Sequence, residues 1–424
     1  MTKIDDELMV KGSNARLASK ELAKLSSGIK DEALLRIADN LESRYQDIIE
    51  VNTKDIDTGK EKGLTDALLD RLLLNQDRIV GMANDLRNIV NIPDPVGVII
   101  DQKVLPNGLN VSRRRVPLGV IGAIYESRPN VTIDISALCL KSGNSVILRG
   151  GSEAINSNRI LSDIVRQSIS DVGLPIDSVC FVDSPDRSIV DQMLSMKDDI
   201  DLLIPRGGAD FIRYVGNNAT MPVITGGIGV CHTYVDQFAD LEKSVAISYN
   251  AKVQRPTVCN AMDTLIIHSA VASSYLTEIA KKWSEADVEI HCDQRSMSIL
   301  DPIEGLRLKQ ANDGDWGTEF LSLIVSVAVV DSLQEALDHI DRYGSGHSEA
   351  IITEDYSNAM KFLDDVDAAA VFVNASTRFT DGSALGLGAE VAISTNKMHA
   401  RGPMGLNELT SYKWTIVGDG QVRE

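Results

Sequence analysis

Aromatic side chains are scarce in this sequence: seven Phe, three Trp and nine Tyr make up 4% of 424 residues. The interior must therefore be filled by Leu, Ile, Val and Ala. Long apolar runs are missing as well, and no stretch approaches the roughly 20 residues needed to cross a bilayer. The opening Met-Thr-Lys-Ile-Asp-Asp-Glu-Leu is too charged for a secretory apolar region, so the chain is expected in the cytoplasm, with no membrane partner. Cysteine is sparse: the five at 139, 180, 231, 259 and 292 are odd in number, scattered and never in C-x-x-C spacing. Neither a disulfide framework nor a zinc site is indicated, and no metal is expected. Basic residues are outnumbered, 42 Lys and Arg against 61 Asp and Glu, for a net charge of −19. Such a balance argues against nucleic acid or an anionic membrane as a general partner.

What remains is ordinary for a globular protein: 43% hydrophobic and 24% charged residues. The length implies two or three domains. Apolar residues recur at three- and four-residue steps through Leu34, Ile37, Leu41, Tyr45 and Ile48, then Leu72, Ile79, Met82, Leu86 and Ile89, which predicts an amphipathic helical lead-in. From Pro93 the texture changes. Val98 to Ile100 and Leu109 to Val116 read as short strands joined by Pro106-Asn107-Gly108, a ribbon ending in Arg113-Arg114-Arg115.

Between Leu118 and Thr225 strands and helices alternate, with strands expected at 118–125, 145–149, 179–182, 201–205 and 222–225. Near-continuous apolar strands separated by helices imply parallel βαβ units covered on both faces, a doubly wound, Rossmann-type domain. A second alternation begins beyond Cys231, with helix Ala239 to Lys252, strand Thr264 to Ile267, helix Val271 to Ala286, strand Val288 to Cys292 and an apolar segment from Phe320 to Val330.

Two glycine pairs stand at strand-to-helix turns, Arg149-Gly150-Gly151-Ser152 and Arg206-Gly207-Gly208-Ala209. Glycine admits close approach to a ligand, the following helix start offers unpaired amides, and arginine adds charge; together these suit a phosphate. Neither pair forms G-x-G-x-x-G, so a dinucleotide held in some other manner is expected, with Arg149, Gly150, Ser152, Gly207 and Gly208 as its contacts. The segment Tyr125 to Thr132 ends a strand and opens a helix at the carboxyl edge of the sheet. Asn130 there fits either a helix N-cap or an amide donating to a developing oxyanion.

Cysteine usually packs as a small hydrophobe. In Gln254-Arg255-Pro256-Thr257-Val258-Cys259-Asn260-Ala261 its neighbours are instead cationic and polar. An unassisted thiol has a pKa of about 8.5 and needs such help to act as a nucleophile. Arg128 and Arg255 are the candidate partners for an anionic substrate, because a chain so acidic needs a local cationic funnel.

Several long segments carry a family resemblance: Ser-Arg-Arg-Arg-Val-Pro-Leu-Gly-Val-Ile-Gly at 112–122, Tyr-Glu-Ser-Arg-Pro-Asn-Val-Thr at 125–132, Ile-Pro-Arg-Gly-Gly at 204–208, Arg-Tyr-Gly-Ser-Gly-His at 342–347, Asn-Ala-Ser-Thr-Arg-Phe-Thr-Asp-Gly at 374–382 and His-Ala-Arg-Gly-Pro-Met-Gly-Leu at 399–406. Over essentially its whole length the chain resembles the gamma-glutamyl phosphate reductases, or glutamate-5-semialdehyde dehydrogenases, a branch of the aldehyde dehydrogenase superfamily. The resemblance implies an α/β, aldehyde dehydrogenase-like fold. It would comprise a Rossmann-type cofactor domain over 1–104 and 117–230, an α/β catalytic domain over 231–402 and a small β-strand oligomerisation arm from 105–116 and 403–424. It further implies that Cys259 is the nucleophile, that Asn130 and the Cys259 amide form the oxyanion hole, and that Glu319 holds the nicotinamide ribose. NADPH is the implied cofactor, with Arg149 near its ribose. L-glutamyl 5-phosphate is the implied substrate, reduced in proline biosynthesis through a cysteine thioester. A homodimer or tetramer and functional coupling to glutamate 5-kinase are the implied assemblies.

One departure from the wider superfamily is informative. Hydrolytic members carry a general-base glutamate two residues before a Gly-Gly pair, whereas Val223-Ile224-Thr225-Gly226-Gly227 places Ile224 there. A thioester is then expected to await hydride instead of water. The rival readings are a hydrolytic semialdehyde dehydrogenase, which would need an acidic residue at 224, and an inactive binding protein of the same fold, which would be expected to lack Cys259 or Asn130.

Overall fold

The computed structural model describes residues 3–226 and 228–423; Gly227, the second glycine of the pair beside Ile224, lies outside the described residues. The chain divides into two compact units, one of residues 1–225, 386–392 and 404–424 and the other of 226–385 and 393–403.

The first unit is organised by a four-stranded parallel sheet in the order Val179–Phe181, Ser145–Gly150, Val120–Tyr125, Leu202–Arg206. Val120–Tyr125 and Ser145–Gly150 are buried at every position, as expected of strands covered on both faces. The strand predicted at 222–225 is reduced to a single parallel bridge between Leu203 and Val223. Pro222 has no N–H to give, so only its carbonyl joins the sheet, accepting from the Leu203 amide at 2.9 Å.

The lead-in is helical, and the predicted stripe is buried from Leu34 to Leu41 and from Ile79 to Ile89. Its first run spans two helices. Ser27–Ser43 stops at Arg44 and Tyr45–Glu61 starts anew, so Ile48 faces the core from a separate helix. Helix Asn130–Lys141 ends in a Schellman motif in which Asn144 N donates to Cys139 O at 2.8 Å and Gly143 N to Leu140 O at 3.1 Å. Gly143, at φ +77°, supplies the left-handed residue that this motif requires. Two buried lysines tie the lead-in to that helix. Lys30 pairs with Asp94 and donates to Lys141 O, while Lys141 pairs with Asp31 and donates to Val90 O.

The ribbon is a three-stranded antiparallel sheet of Ile99–Val104, Asn110–Pro117 and Thr410–Val417. Its first strand extends to Val104, beyond the predicted Ile100, and the Pro106-Asn107-Gly108 turn follows with Gly108 at φ +86°.

The second unit holds a seven-stranded, wholly parallel sheet. Its order is Arg307–Gln310, Glu289–Cys292, Ile324–Val330, Met262–His268, Cys231–Val235, Ser348–Ile352, Ala370–Val373. Helices Leu241–Val253 and Ser269–Glu285 cover one face over a core of Leu265, Ile267, Leu276, Ile279 and Trp283. The apolar run from Phe320 becomes strand only at Ile324, because Leu321 turns through φ +50° and breaks the extended path.

Candidate active site

In the first unit three adjacent strands end in register, Tyr125 beside both Gly150 and Arg206. The loops that leave this edge are fastened to one another. Glu126 N donates to Arg206 O at 3.0 Å, and Ser127, at φ +49°, donates to Glu153 Oε1 from its amide at 2.5 Å and its hydroxyl at 3.0 Å. Arg128, half-buried, leads into Pro129, and Pro129 rather than Asn130 is the N-cap of the helix. Asn130 is its first helical residue. Its Nδ2 donates to Asp134 Oδ2 one turn on, at 2.8 Å. The capping alternative for the Asn130 side chain is therefore set aside. Burial raises the Asp134 carboxyl to about 7, with Asn130 pulling the other way and Asp85 adding to the rise.

The two glycine turns differ. A Cβ on Gly150 would collide with the Asn158 amide, and one on Gly207 would lie 2.7 Å from Glu126 Oε2 and 2.8 Å from Phe211. At Gly150 the obstacle is the fully buried Asn158, so packing within the protein demands glycine there; at Gly207 it is two side chains, and Gly208 faces open space. The helix after Gly150 does not keep its amides free as predicted. Asp55, 2% exposed, takes Ser157 N and Oγ at 2.8 and 2.6 Å and Asn156 Nδ2 at 2.8 Å. Ser152 lies exposed on a short 3₁₀ turn, Ser152–Ala154. Helix Ala209–Asn218 starts at Gly208 with no side-chain cap.

Arg149 is the notable cation of this edge. It is 6% exposed, its guanidinium reaches the carbonyls of Pro185 and Asp186 only at 3.4 Å, and Nε has no hydrogen-bond partner among the described residues. Burial lowers its pKa, opposed by the carboxylates of Glu153 and Glu126. A buried, under-satisfied guanidinium fits an anionic ligand group.

In the second unit Cys259 sits in the loop between helix Leu241–Val253 and strand Met262–His268. Cysteines 139, 180, 231 and 292 are buried; Cys259 is only half-buried. Its loop is clamped on both sides. The Cys259 carbonyl accepts from the Cys231 thiol at 3.2 Å, and a Cβ on Gly229 would fall on that carbonyl oxygen, 2.5 Å from its carbon. Asn260, 4% exposed, donates through Nδ2 to Thr380 O at 2.9 Å and Arg378 O at 3.3 Å, while its carbonyl accepts from Thr377 Oγ1 at 2.7 Å. Burial pushes the Cys231 thiol well above its ordinary value, aided by Glu349 and Asp263. That sulfur is a packing group, and Cys259 is the thiol with access.

Arg255 is exposed on the same loop. Glu319 accepts from Gly229 N at 3.0 Å, and the Phe320 amide beside it donates to Asp263 at 3.2 Å, so the carboxyl is held close to the Cys259 loop. Burial raises Glu319 to about 7, against the Gly229 hydrogen bond.

Comparison with known proteins gives this geometry its context. The aldehyde dehydrogenase family model matches residues 7–298. Curated gamma-glutamyl phosphate reductases of Dehalococcoides mccartyi and Syntrophomonas wolfei are 55% and 51% identical to the chain, over 98% and 99% of each partner's length. The crystal structure of the gamma-glutamyl phosphate reductase of Thermotoga maritima superposes with a TM-score of 0.96 at 44% identity, covering 99% of this chain and 100% of that one. An acetylating aldehyde dehydrogenase of Geobacillus thermoglucosidasius, 15% identical with a TM-score of 0.70, shares the fold. The chain belongs to the gamma-glutamyl phosphate reductases of the aldehyde dehydrogenase family.

Within that family's framework, several groups at the site escaped the sequence reading. Asp134 stands four residues after Asn130, a spacing that puts both on one helix face and could have been noticed. Arg378, Thr377 and Thr380 lie in the 374–382 motif, but nothing in their spacing points to Asn260. Gly229 carries no signal at all without coordinates, since its role is set by a backbone approach from 30 residues away.

Proposed function

We propose that this chain reduces L-glutamyl 5-phosphate to L-glutamate 5-semialdehyde with NADPH, releasing phosphate, as a step of proline biosynthesis. The observation that carries the reading is the Cys259 loop. A single half-buried thiol is held on a backbone fastened by Asn260, Gly229 and Cys231, in a chain 55% identical over nearly its full length to curated proteins of that name.

In this reading the Cys259 sulfur attacks the γ-acyl carbonyl, an S–C bond forms, and phosphate leaves with the electrons of its C–O bond. The amide of Asn130, oriented by Asp134, and the Cys259 N–H stabilise the oxyanion. When bound, the reduced nicotinamide supplies the hydride that takes the thioester to the aldehyde level. Arg149 and the uncapped start of helix Ala209–Asn218, with Gly150, Ser152, Gly207 and Gly208 around them, would hold its anionic groups, and Glu319 its ribose. Ile224, 3% exposed, stands where hydrolytic relatives place a carboxylate, which favours a persistent thioester over the hydrolytic alternative. Arg128 and Arg255 serve the anionic substrate. Residues 1–104 and 117–230 act as the cofactor domain and 231–402 as the catalytic domain. The strands of 105–116 and 403–424 act as an oligomerisation arm, which the exposed Val104, Trp414, Ile416 and Val417 support.

The test is semialdehyde-dependent NADP⁺ reduction with and without phosphate or arsenate, alongside Cys259→Ala. Turnover should require the anion and vanish in the variant. Turnover indifferent to the anion refutes the acyl-phosphate route.

A further inference from the structure

The turn Thr377–Phe379 carries an arginine that the reading above does not use. Arg378 is half-buried, and its own backbone carbonyl accepts from Asn260, the residue after the nucleophile. Its Nε donates to Gln254 Oε1 at 2.8 Å, which fixes the guanidinium plane against the residue preceding Arg255. Arg378 thus reaches both ends of the short loop that carries Arg255 and Cys259. Neither arginine forms an ion pair with any carboxylate among the described residues, while Arg16, Arg87, Arg113, Arg159 and Arg295 all do.

Like charges are not held together without a reason. The pKa of Arg378 is lowered, first by burial and next by repulsion from Arg255, with Asp381, Cys259 and Cys231 acting the other way. A neutral residue at 378 could keep the backbone bond to Asn260 without that repulsion. Two cations without ion pairs among the described residues, beside a half-buried thiol, suit an anion that comes and goes.

We propose that Arg378 and Arg255, with Gln254 fixing the orientation of Arg378, form the phosphate site of the Cys259 loop, binding the phosphoryl group of the acyl phosphate and, in reverse, inorganic phosphate. The inference rests on the proposed reaction and names the residues that meet its leaving group. A phosphoryl dianion suits the pair better than a carboxylate does. Its charge matches two guanidiniums, and its terminal oxygens accept from two forks, where the two oxygens of a carboxylate are satisfied by one. Charge at this place also assists departure, since negative charge grows on the phosphate oxygen as the acyl C–O bond breaks.

The experiment follows the reverse reaction in the full-length chain at varied inorganic phosphate, comparing the native protein with Arg378→Gln, Arg378→Lys and Arg255→Gln. Arg378→Gln should raise the KM for phosphate at least tenfold while the KM values for semialdehyde and NADP⁺ stay within about twofold. Arg378→Lys should fall between, keeping the charge and losing the fork. Phosphate should also slow alkylation of Cys259 by iodoacetamide in the native protein and fail to do so in Arg378→Gln. Should Arg378→Gln misfold, judged by its melting temperature, Arg255→Gln carries the same measurement. An unchanged KM for phosphate in a folded variant overturns the site, as does a rise confined to the KM of the semialdehyde. If native turnover ignores phosphate, the acyl-phosphate reading itself fails, an outcome distinct from either.

Discussion

Gly229→Ala tests whether the Cys259 loop is held by backbone contact. At Gly229 the missing side chain is replaced by another stretch of main chain: a Cβ would coincide with the Cys259 carbonyl oxygen, 2.5 Å from its carbon and 3.0 Å from its Cα. Side chains can swing away from such an intrusion, but a peptide fixed at Asn260 and by the Cys231 thiol cannot. Restoring ordinary van der Waals separation from the carbon at 2.5 Å alone requires a shift of about 1 Å, and clearing the nearer oxygen requires more, carried directly to the Cys259 sulfur. A misplacement of that size costs on the order of 100-fold in rate, and overpacking of this kind costs roughly 1–3 kcal/mol of stability. The expected result is a fall of about 100-fold or more in kcat, with a melting temperature lowered by a few degrees.

The control is Gly81→Ala in helix Gln76–Val90, where an added Cβ meets nothing within 4 Å. It should keep full activity and gain up to about 1 kcal/mol, the helix-propensity difference between the two residues. Steady-state turnover with phosphate, the rate of Cys259 alkylation and thermal melts distinguish the cases. A Gly229→Ala protein with native kcat and native alkylation rate would refute the claim that main-chain contact sets the position of the sulfur.

Three further expectations rest on single groups. Glu319 has a folded pKa raised to about 7 from 4.5, so the folded state binds the proton more tightly and stability falls as pH rises through that window; Glu319→Gln should make the decline in urea midpoint between pH 5 and pH 8 shallower, and parallel curves would contradict this. Asp134→Ala removes the acceptor for Asn130 Nδ2 and should lower kcat about tenfold or more with little change in the phosphate KM, whereas equal losses in both would make Asp134 merely structural. Asp55→Ala leaves Ser157 N and Oγ buried without their partner and should cost about 2–3 kcal/mol in chemical denaturation, with kcat near native in the folded fraction.

The elements of this fold were legible wherever a single periodicity ran through a segment. Buried parallel strands such as Val120–Tyr125 and Ser145–Gly150 announce themselves as short, wholly apolar runs, because both faces are covered. What periodicity alone does not locate are the points where the backbone changes direction. The apolar spacing runs through Arg44 as if one helix continued, since buried residues of consecutive helices can share a stripe by register alone. The run from Phe320 to Val330 hides a left-handed Leu321, a position that no propensity assigns to leucine.

The site divides along the same line. Cys259, Asn130 and the glycine pairs stood out because chemistry-bearing residue types in unusual company can be noticed one position at a time. The residues that make them work are relations between positions distant in sequence, and a relation leaves no mark on either member. Asp55 is an unremarkable acid in a helix of acids until Ser157 is seen above it. Arg149 shows the converse. Read as part of a phosphate turn, it drew attention through its glycines, yet Gly150 is required by Asn158, and what points to an anion there is the buried Nε with no partner. A glycine pair is thus ambiguous until its neighbours are known. The arginine's burial supports the proposed ligand role, because a packing turn has no need to desolvate a guanidinium and leave it unsatisfied, and a binding site does.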